Sequence, residues 1–132
     1  MDSKPGKGEL ETIKNEYAPA TFSTHLSPHM FAGKDEVLSS ITDGSACVVN
    51  TLKPEMYRGE EDVFYAGHIT GSVNHPIFEL MDGGYLLPDD LLSKKFQEKM
   101  VGDRMITYCG GGIAATLNIP AALGLPVEKI AL

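Results

Sequence analysis

The chain has 132 residues, 42% apolar and 22% charged, which fits one globular domain and gives no basis for disorder. Its 18 acidic and 11 basic residues leave a formal net charge of −7, which excludes nucleic-acid binding by phosphate neutralisation. The same charge means that a small anionic substrate has to be captured locally, by one placed cation or by backbone N–H groups.

Residues 1–26 are polar and punctuated by Pro5, Gly6, Gly8 and Pro19, with only a weak helical pattern through "ELETIKNEY". They are expected to form an N-terminal extension, and 27–132 the domain. No secretory signal core and no run of membrane-spanning length occurs, so the expected location is the cytoplasm, with no membrane partner. "KDEVLSSI" carries Val37, Leu38 and Ile41 on one face and predicts a helix over 34–42, ended by "TDG". "ACVVN" (46–50) is a buried strand. "KPEMYRG" follows as a short helix with Pro54 in its first turn and Gly59 as its stop. "GHITGSVNHP" (67–76) runs through a loop into a short strand near Ser72–Asn74, and Pro76 opens another helical turn. "MDGGYLLP" is expected to be a loop. "PDDLLSKKFQEKM" is a helix, acidic at its start and lysine-bearing towards its end, as the helix dipole favours. "RMITY" (104–108) is the next strand, "IAATLNIPAALG" a helical stretch that Pro120 interrupts, and "VEKIAL" (127–132) a last strand. Strands alternating with helices, with no hairpin signal recognised, predict an α/β domain: a parallel sheet with helices on both faces. The chain stops where such a domain would add a further helix, and truncation at the C-terminus is the expectation.

The chemistry is concentrated in "MITYCGGGIAAT" (105–116). Cys109 falls at the carboxyl end of a predicted parallel strand, where α/β sheets bind ligands. Three glycines remove every Cβ from the loop and let backbone N–H groups turn inward. Such donors and a helix start stabilise a sulfur anion, so Cys109 is predicted to be nucleophilic. Two other readings share these residues. Gly110, Gly112 and Ala115 fit the dinucleotide fingerprint G-x-G-x-x-A, but no acidic residue ends the next strand. A thiolate phosphatase needs Arg at the seventh loop position, which is Ala115.

The chain resembles single-domain rhodaneses of the thiosulfate sulfurtransferase type over roughly residues 34–132. The resemblance rests on "VVNTLKPEMYRGEE", similar to the family's D-x-R-x-x-x-E-Y-x-G segment, on "AGHITGSVNHP", similar to GHIPGAxNxP, and on "ITYCGGGIAA", similar to its active-site strand and loop. It implies that Cys109 is the catalytic cysteine and that Gly110, Gly111, Gly112, Ile113 and Ala114 complete a substrate-binding loop. The implied reaction moves sulfane sulfur from thiosulfate or a similar donor, through a Cys109 persulfide, to cyanide or a thiol. No cofactor is implied, and a protein acceptor is an alternative to a small one. The chain departs from the family at Asn50 and Leu52, where Asp and Arg are frequent, at Ala114, where Arg, Lys or Thr is common, and in having no Trp. Arg58 in "YRGE" is nominated for donor capture, against a surface pair with Glu60 or Glu61. A non-catalytic rhodanese module serving in binding or regulation is the reading from a different class.

The remaining candidates have structural readings. Cys47 lies within an apolar strand and is read as a buried small hydrophobe, with a resolving thiol as the alternative. Pro28 separates His25 from His29, so no metal site is expected there. His68 is read as a structural loop histidine. Oligomeric state is left open.

Overall fold

The computed structural model describes residues 12–99, 102–116 and 130–132. Residues 12–27 run without helix and are exposed. A 3-10 turn at Pro28–Met30 follows. Helix α1 covers Lys34–Asp43, one residue longer than the predicted span, and ends at Gly44, whose N–H bonds the Ser40 carbonyl at 3.0 Å. Its apolar face is not its buried face. Leu38 is 52% exposed and Ile41 39%, while Ser40 is buried and its hydroxyl donates back to the Val37 carbonyl at 2.7 Å. The helix is tied down instead at Glu36, which pairs with the Arg104 guanidinium. That guanidinium also donates to the His29 carbonyl at 2.9 Å.

Four parallel strands form the sheet in the order β2-β1-β5-β6: β1 at Cys47–Asn50, β2 at Val73–Asn74, β5 at Met105–Tyr108 and β6 at Ile130–Ala131. The register sets Cys47 against Met105 and Asn50 against Tyr108. Cys47, Val49 and Met105 point to one face, where they join Leu80, Leu92 and Phe96 in the core. Leu92 and Phe96 come from helix α3, Asp89–Lys99, as the spacing of four residues predicts. Alternation turns Val48 and Ile106 to the opposite face, and they are buried too, so both faces are covered. The expected parallel α/β architecture is the one observed.

The outer edge of β6 is paired as well. Ala32 donates to the Leu132 carbonyl at 2.8 Å, and Leu132 donates to the Met30 carbonyl at 2.9 Å. The early segment thus occupies the edge that an exposed strand would otherwise leave open. Two further elements lie between the strands. Helix α2 is a single turn, Pro54–Tyr57, with Pro54 at its start. A 3-10 turn follows Pro76 at Ile77–Leu80.

The loop expected at "MDGGYLLP" is instead an antiparallel hairpin, β3 at Met81–Asp82 and β4 at Tyr85–Leu86. Gly83 and Gly84 make its two-residue turn with φ of 58° and 86°, the left-handed values that such a turn requires at both positions. A Gly-Gly pair between two short apolar runs is a hairpin signal, so the absence of one was a misreading. The stretch after the cysteine loop is helical over 113–116; its predicted continuation from Leu117 and the strand residues 127–129 lie outside the described residues.

Polar groups fill the carboxyl edge of the sheet. Asn50 is fully buried, its side-chain carbonyl accepting from the Leu52 N–H at 2.9 Å. The Asn74 amide donates to the Leu52 carbonyl at 2.8 Å, and the Lys99 ammonium to the Asn74 carbonyl at 2.8 Å. His75, 1% exposed, packs edge-on against Phe96 at 4.7 Å, and its Nε2 has no partner. Burial first, then the charges of Lys99 and Lys95, push its pKa down from 6.5 to about 4.

A folded pKa below the unfolded one makes the neutral ring the stabilising form, so this contribution is complete above about pH 6.5 and is lost as pH falls towards 4. The loss amounts to about 3 kcal/mol across that window. Urea unfolding of the protein and of His75→Gln across pH 4–7 measures it: the wild-type chain shows the steeper fall. Parallel pH profiles would show that His75 does not carry it.

Candidate active site

Strand β5 delivers Cys109 to the carboxyl edge of the sheet, and the residue before it is fixed at both ends. The Tyr108 carbonyl accepts from the Thr51 N–H at 3.1 Å and from the Thr51 hydroxyl at 3.3 Å. The Tyr108 hydroxyl accepts from the Ile69 N–H at 2.8 Å and lies 3.0 Å from the Ser72 hydroxyl. One tyrosine therefore locks three segments together: the end of β1, the "GHITGS" loop and the cysteine strand.

The loop beyond is shaped by two of its glycines. Gly112 takes φ of 84°, and in this conformation its N–H donates to Cys109 Sγ at 2.9 Å. A side chain there would strain the turn that aims this donor. Gly110 lies under the ring of Tyr65, and a methyl group in its place would come within 2.8 Å of two ring carbons. The turn after the loop is anchored to β5, since the Thr107 hydroxyl donates to the Ala115 carbonyl at 3.2 Å. Ala115 is itself 1% exposed. At the position where a phosphatase would need Arg, the chain packs a methyl group.

Cys109 is half-buried between two clefts. One, of about 390 Å³, lies between α2 and the loop, with Leu52, Met56, Phe64 and Tyr65 facing Gly110 and Ala114. The other, of about 580 Å³, opens between the loop and the Phe31 and Leu132 side of the domain. Gly111 and Ile113 border both. Each residue of the predicted loop, Gly110 to Ala114, thus lies beside the cysteine and borders at least one cleft.

Arg58, nominated for anion capture, has a different place. Its guanidinium is engaged by Glu60 at 2.6 and 2.9 Å, with Glu55 at 3.8 Å, and it lines neither cleft. Only Gly59 separates the partners in sequence, and the pair closes on the surface. His68 also lines neither cleft. Its Nδ1–H donates to the Tyr57 carbonyl at 2.8 Å and its ring stacks on Tyr57 at 4.0 Å, the loop-bracing part read from the sequence.

Cys47 is buried in the core, its thiol 3.5 Å from the Lys99 carbonyl. It pairs with Met105 at the opposite end of the strands from Cys109, roughly 13 Å away along the sheet. That separation does not suit a resolving thiol. Among the described residues no group of His, Cys, Asp or Glu is arranged to hold a metal ion, and no helix is long and apolar enough to cross a membrane.

Sequence reasoning missed Tyr65 and Tyr108. "DVFYAGH" offers no signal that Tyr65 folds over Gly110, because that contact joins distant segments. Tyr108 was read only as the last residue of a strand, although a tyrosine at a strand end carries a hydroxyl that has to find a partner.

No family model matches the chain, and no curated protein matches it. Solved structures do. SseA from Escherichia coli, a 3-mercaptopyruvate sulfurtransferase with the rhodanese fold, superposes with a TM-score of 0.70 at 26% identity, over 85% of this chain and 44% of that one. EanB, solved in complex with hercynine, superposes with a TM-score of 0.69 at 13% identity, over 80% of this chain and 28% of that one. The chain has the rhodanese fold and spans less than half the length of either of these structures.

The close approach at Gly110 gives a direct test. Gly110→Ala is expected to lower stability by about 1–3 kcal/mol, because the added methyl has to displace the Tyr65 ring. It should also slow alkylation of Cys109 by iodoacetamide several-fold. Adding Tyr65→Ala should recover both. Additive losses in the double variant would show that the ring does not set this loop.

Proposed function

We propose that the chain is a sulfurtransferase working through a persulfide on Cys109. What supports this reading is one juxtaposition: a half-buried thiol at the carboxyl edge of a rhodanese-fold sheet, bonded by the Gly112 N–H and open to a cleft on either side. The similarity to SseA gives the same direction.

The Cys109 thiolate attacks the sulfane sulfur of a donor, of which thiosulfate is the simplest. A new bond forms from Sγ to that sulfur, the donor's S–S bond breaks, and its electron pair leaves with sulfite. Cyanide or a thiol then attacks the outer sulfur of the persulfide, and Sγ leaves as thiolate. Negative charge rests on sulfur before and after each step. A backbone N–H pointing at Sγ suits both states, because it stabilises anionic sulfur and has no proton to lose at neutral pH. Gly110, Gly111, Gly112, Ile113 and Ala114 are the loop that surrounds the transferred atom.

The intact mass of the protein before and after incubation with a sulfane donor tests the mechanism. The expected result is a gain of one sulfur atom, lost on adding cyanide with release of thiocyanate, and absent in Cys109→Ser. Turnover in that variant should fall by roughly a thousandfold or more. A folded protein that gains no sulfur from any sulfane donor would overturn this function and leave a binding module.

A further inference from the structure

The cleft of about 390 Å³ has an unusual lining for a site that handles anions. Its side walls are Leu52, Met56, Phe64, Tyr65, Ile113 and Ala114. Two of them stand out into solvent: Phe64, from the segment after α2, is 94% exposed, and Ile113, from the cysteine loop, is 82% exposed. Among the described residues no Lys or Arg lines it.

The cations nearest in sequence are already engaged. Lys53 pairs with Glu61, and Arg58 pairs with Glu60 and Glu55. Across residues 53–62 these two cations face Glu55, Glu60, Glu61 and Asp62, so the segment is acidic in a chain whose net charge is −7. A small anion approaching Cys109 here meets a like-signed field and, among the described residues, no unpaired Lys or Arg at the wall. An uncharged hydrocarbon tail gains by leaving water for the same surface.

We infer that this cleft holds the uncharged, apolar tail of an organic thiol or its persulfide, so that Cys109 exchanges sulfur with a carrier of the form R–S–SH rather than with a small inorganic or carboxylate anion. The inference rests on the persulfide reading above and names the partner of that same sulfur. In the loading direction the Cys109 thiolate attacks the outer sulfur of R–S–SH. The bond from Sγ to the outer sulfur forms, the S–S bond of the carrier persulfide breaks, its electron pair leaves with R–S⁻, and the proton stays on the transferred sulfur. In discharge the same bonds exchange in reverse, and no external oxidant or reductant enters. Phe64 and Ile113 grip the tail R while Gly112 holds Sγ.

Discharge of a preloaded enzyme reads the preference. Cys109 is loaded with inorganic polysulfide, the added sulfur is verified by mass, and excess reagent is removed. Loss of the sulfur is then timed with benzyl mercaptan and with 3-mercaptopropionate at equal thiolate concentration. The aromatic thiol is expected to react at least about tenfold faster, since a ring buried against the cleft supplies that much discrimination. In the exposed double variant Phe64→Ser, Ile113→Ser, the ratio should shrink to about threefold or less, losing the rim contacts. Equal rates, or a faster anionic thiol, with sulfur still transferred would overturn this inference and leave the sulfurtransferase reading standing. An enzyme that loads neither from inorganic polysulfide nor from benzyl persulfide, or never discharges to any thiol or to cyanide, would overturn both.

Discussion

The parallel pairing of β1 with β5 sets Asn50 against Tyr108, and from that register two loops leave the sheet at the same level. One turns through Leu52 into α2; the other is the cysteine loop. Their adjacency makes a cleft with Sγ at its edge. A one-residue slip of β5 against β1 would turn Met105 away from the core it shares with Cys47 and Val49 and carry Gly110 away from the Tyr65 ring. The core and the loop edge therefore specify the same register, one through apolar burial and the other through the Thr51–Tyr108 bonds.

The price of that edge is a set of buried polar groups. Asn50, Thr51, His75 and Thr107 are nearly or fully inaccessible, and most of their polar atoms are satisfied by backbone turning out of the sheet. Two are not: the Asn50 amide nitrogen and His75 Nε2. The amide oxygen of Asn50 does the positioning, holding the Leu52 N–H so that Leu52 reaches the cleft wall. A carboxylate at this position would make the same bond but would bring a charge into the core. Among the departures from rhodanese patterns seen in the sequence, Asn50 and Leu52 thus act together, replacing charged groups by a neutral turn and an apolar wall.

How much of this was legible depends on whether the cause lay within one segment. Helix α1, the Pro54 turn, the short strand at Val73–Asn74 and helix α3 all follow from local caps, breakers and periodicity, and the structure places them where these signals fall. The cysteine loop was legible for the same reason, since strand, thiol and glycines are contiguous. The burial of α1 was not, because Arg104 recruits Glu36 from another segment and leaves Leu38 and Ile41 outside. Arg58 was assigned by its expected nearness to the loop edge, a prior that the adjacent Glu60 overrides at hydrogen-bond range. Tyr65 over Gly110 is a contact between loops 45 positions apart, for which a single sequence holds no periodic trace.

The placement of the two thiols at opposite ends of the sheet also bears on how the protein ages. A disulfide needs Cα atoms within about 7 Å, and Cys47 and Cys109 are separated by roughly twice that along paired, rigid strands. The folded chain cannot protect one thiol with the other. Oxidation of Cys109 therefore has only outward routes: a mixed disulfide with a small thiol, a covalent link to a second molecule, or further oxygenation of the sulfur. A preparation left in air records this history in its covalent dimers and in its mass, with Cys47 untouched inside the core.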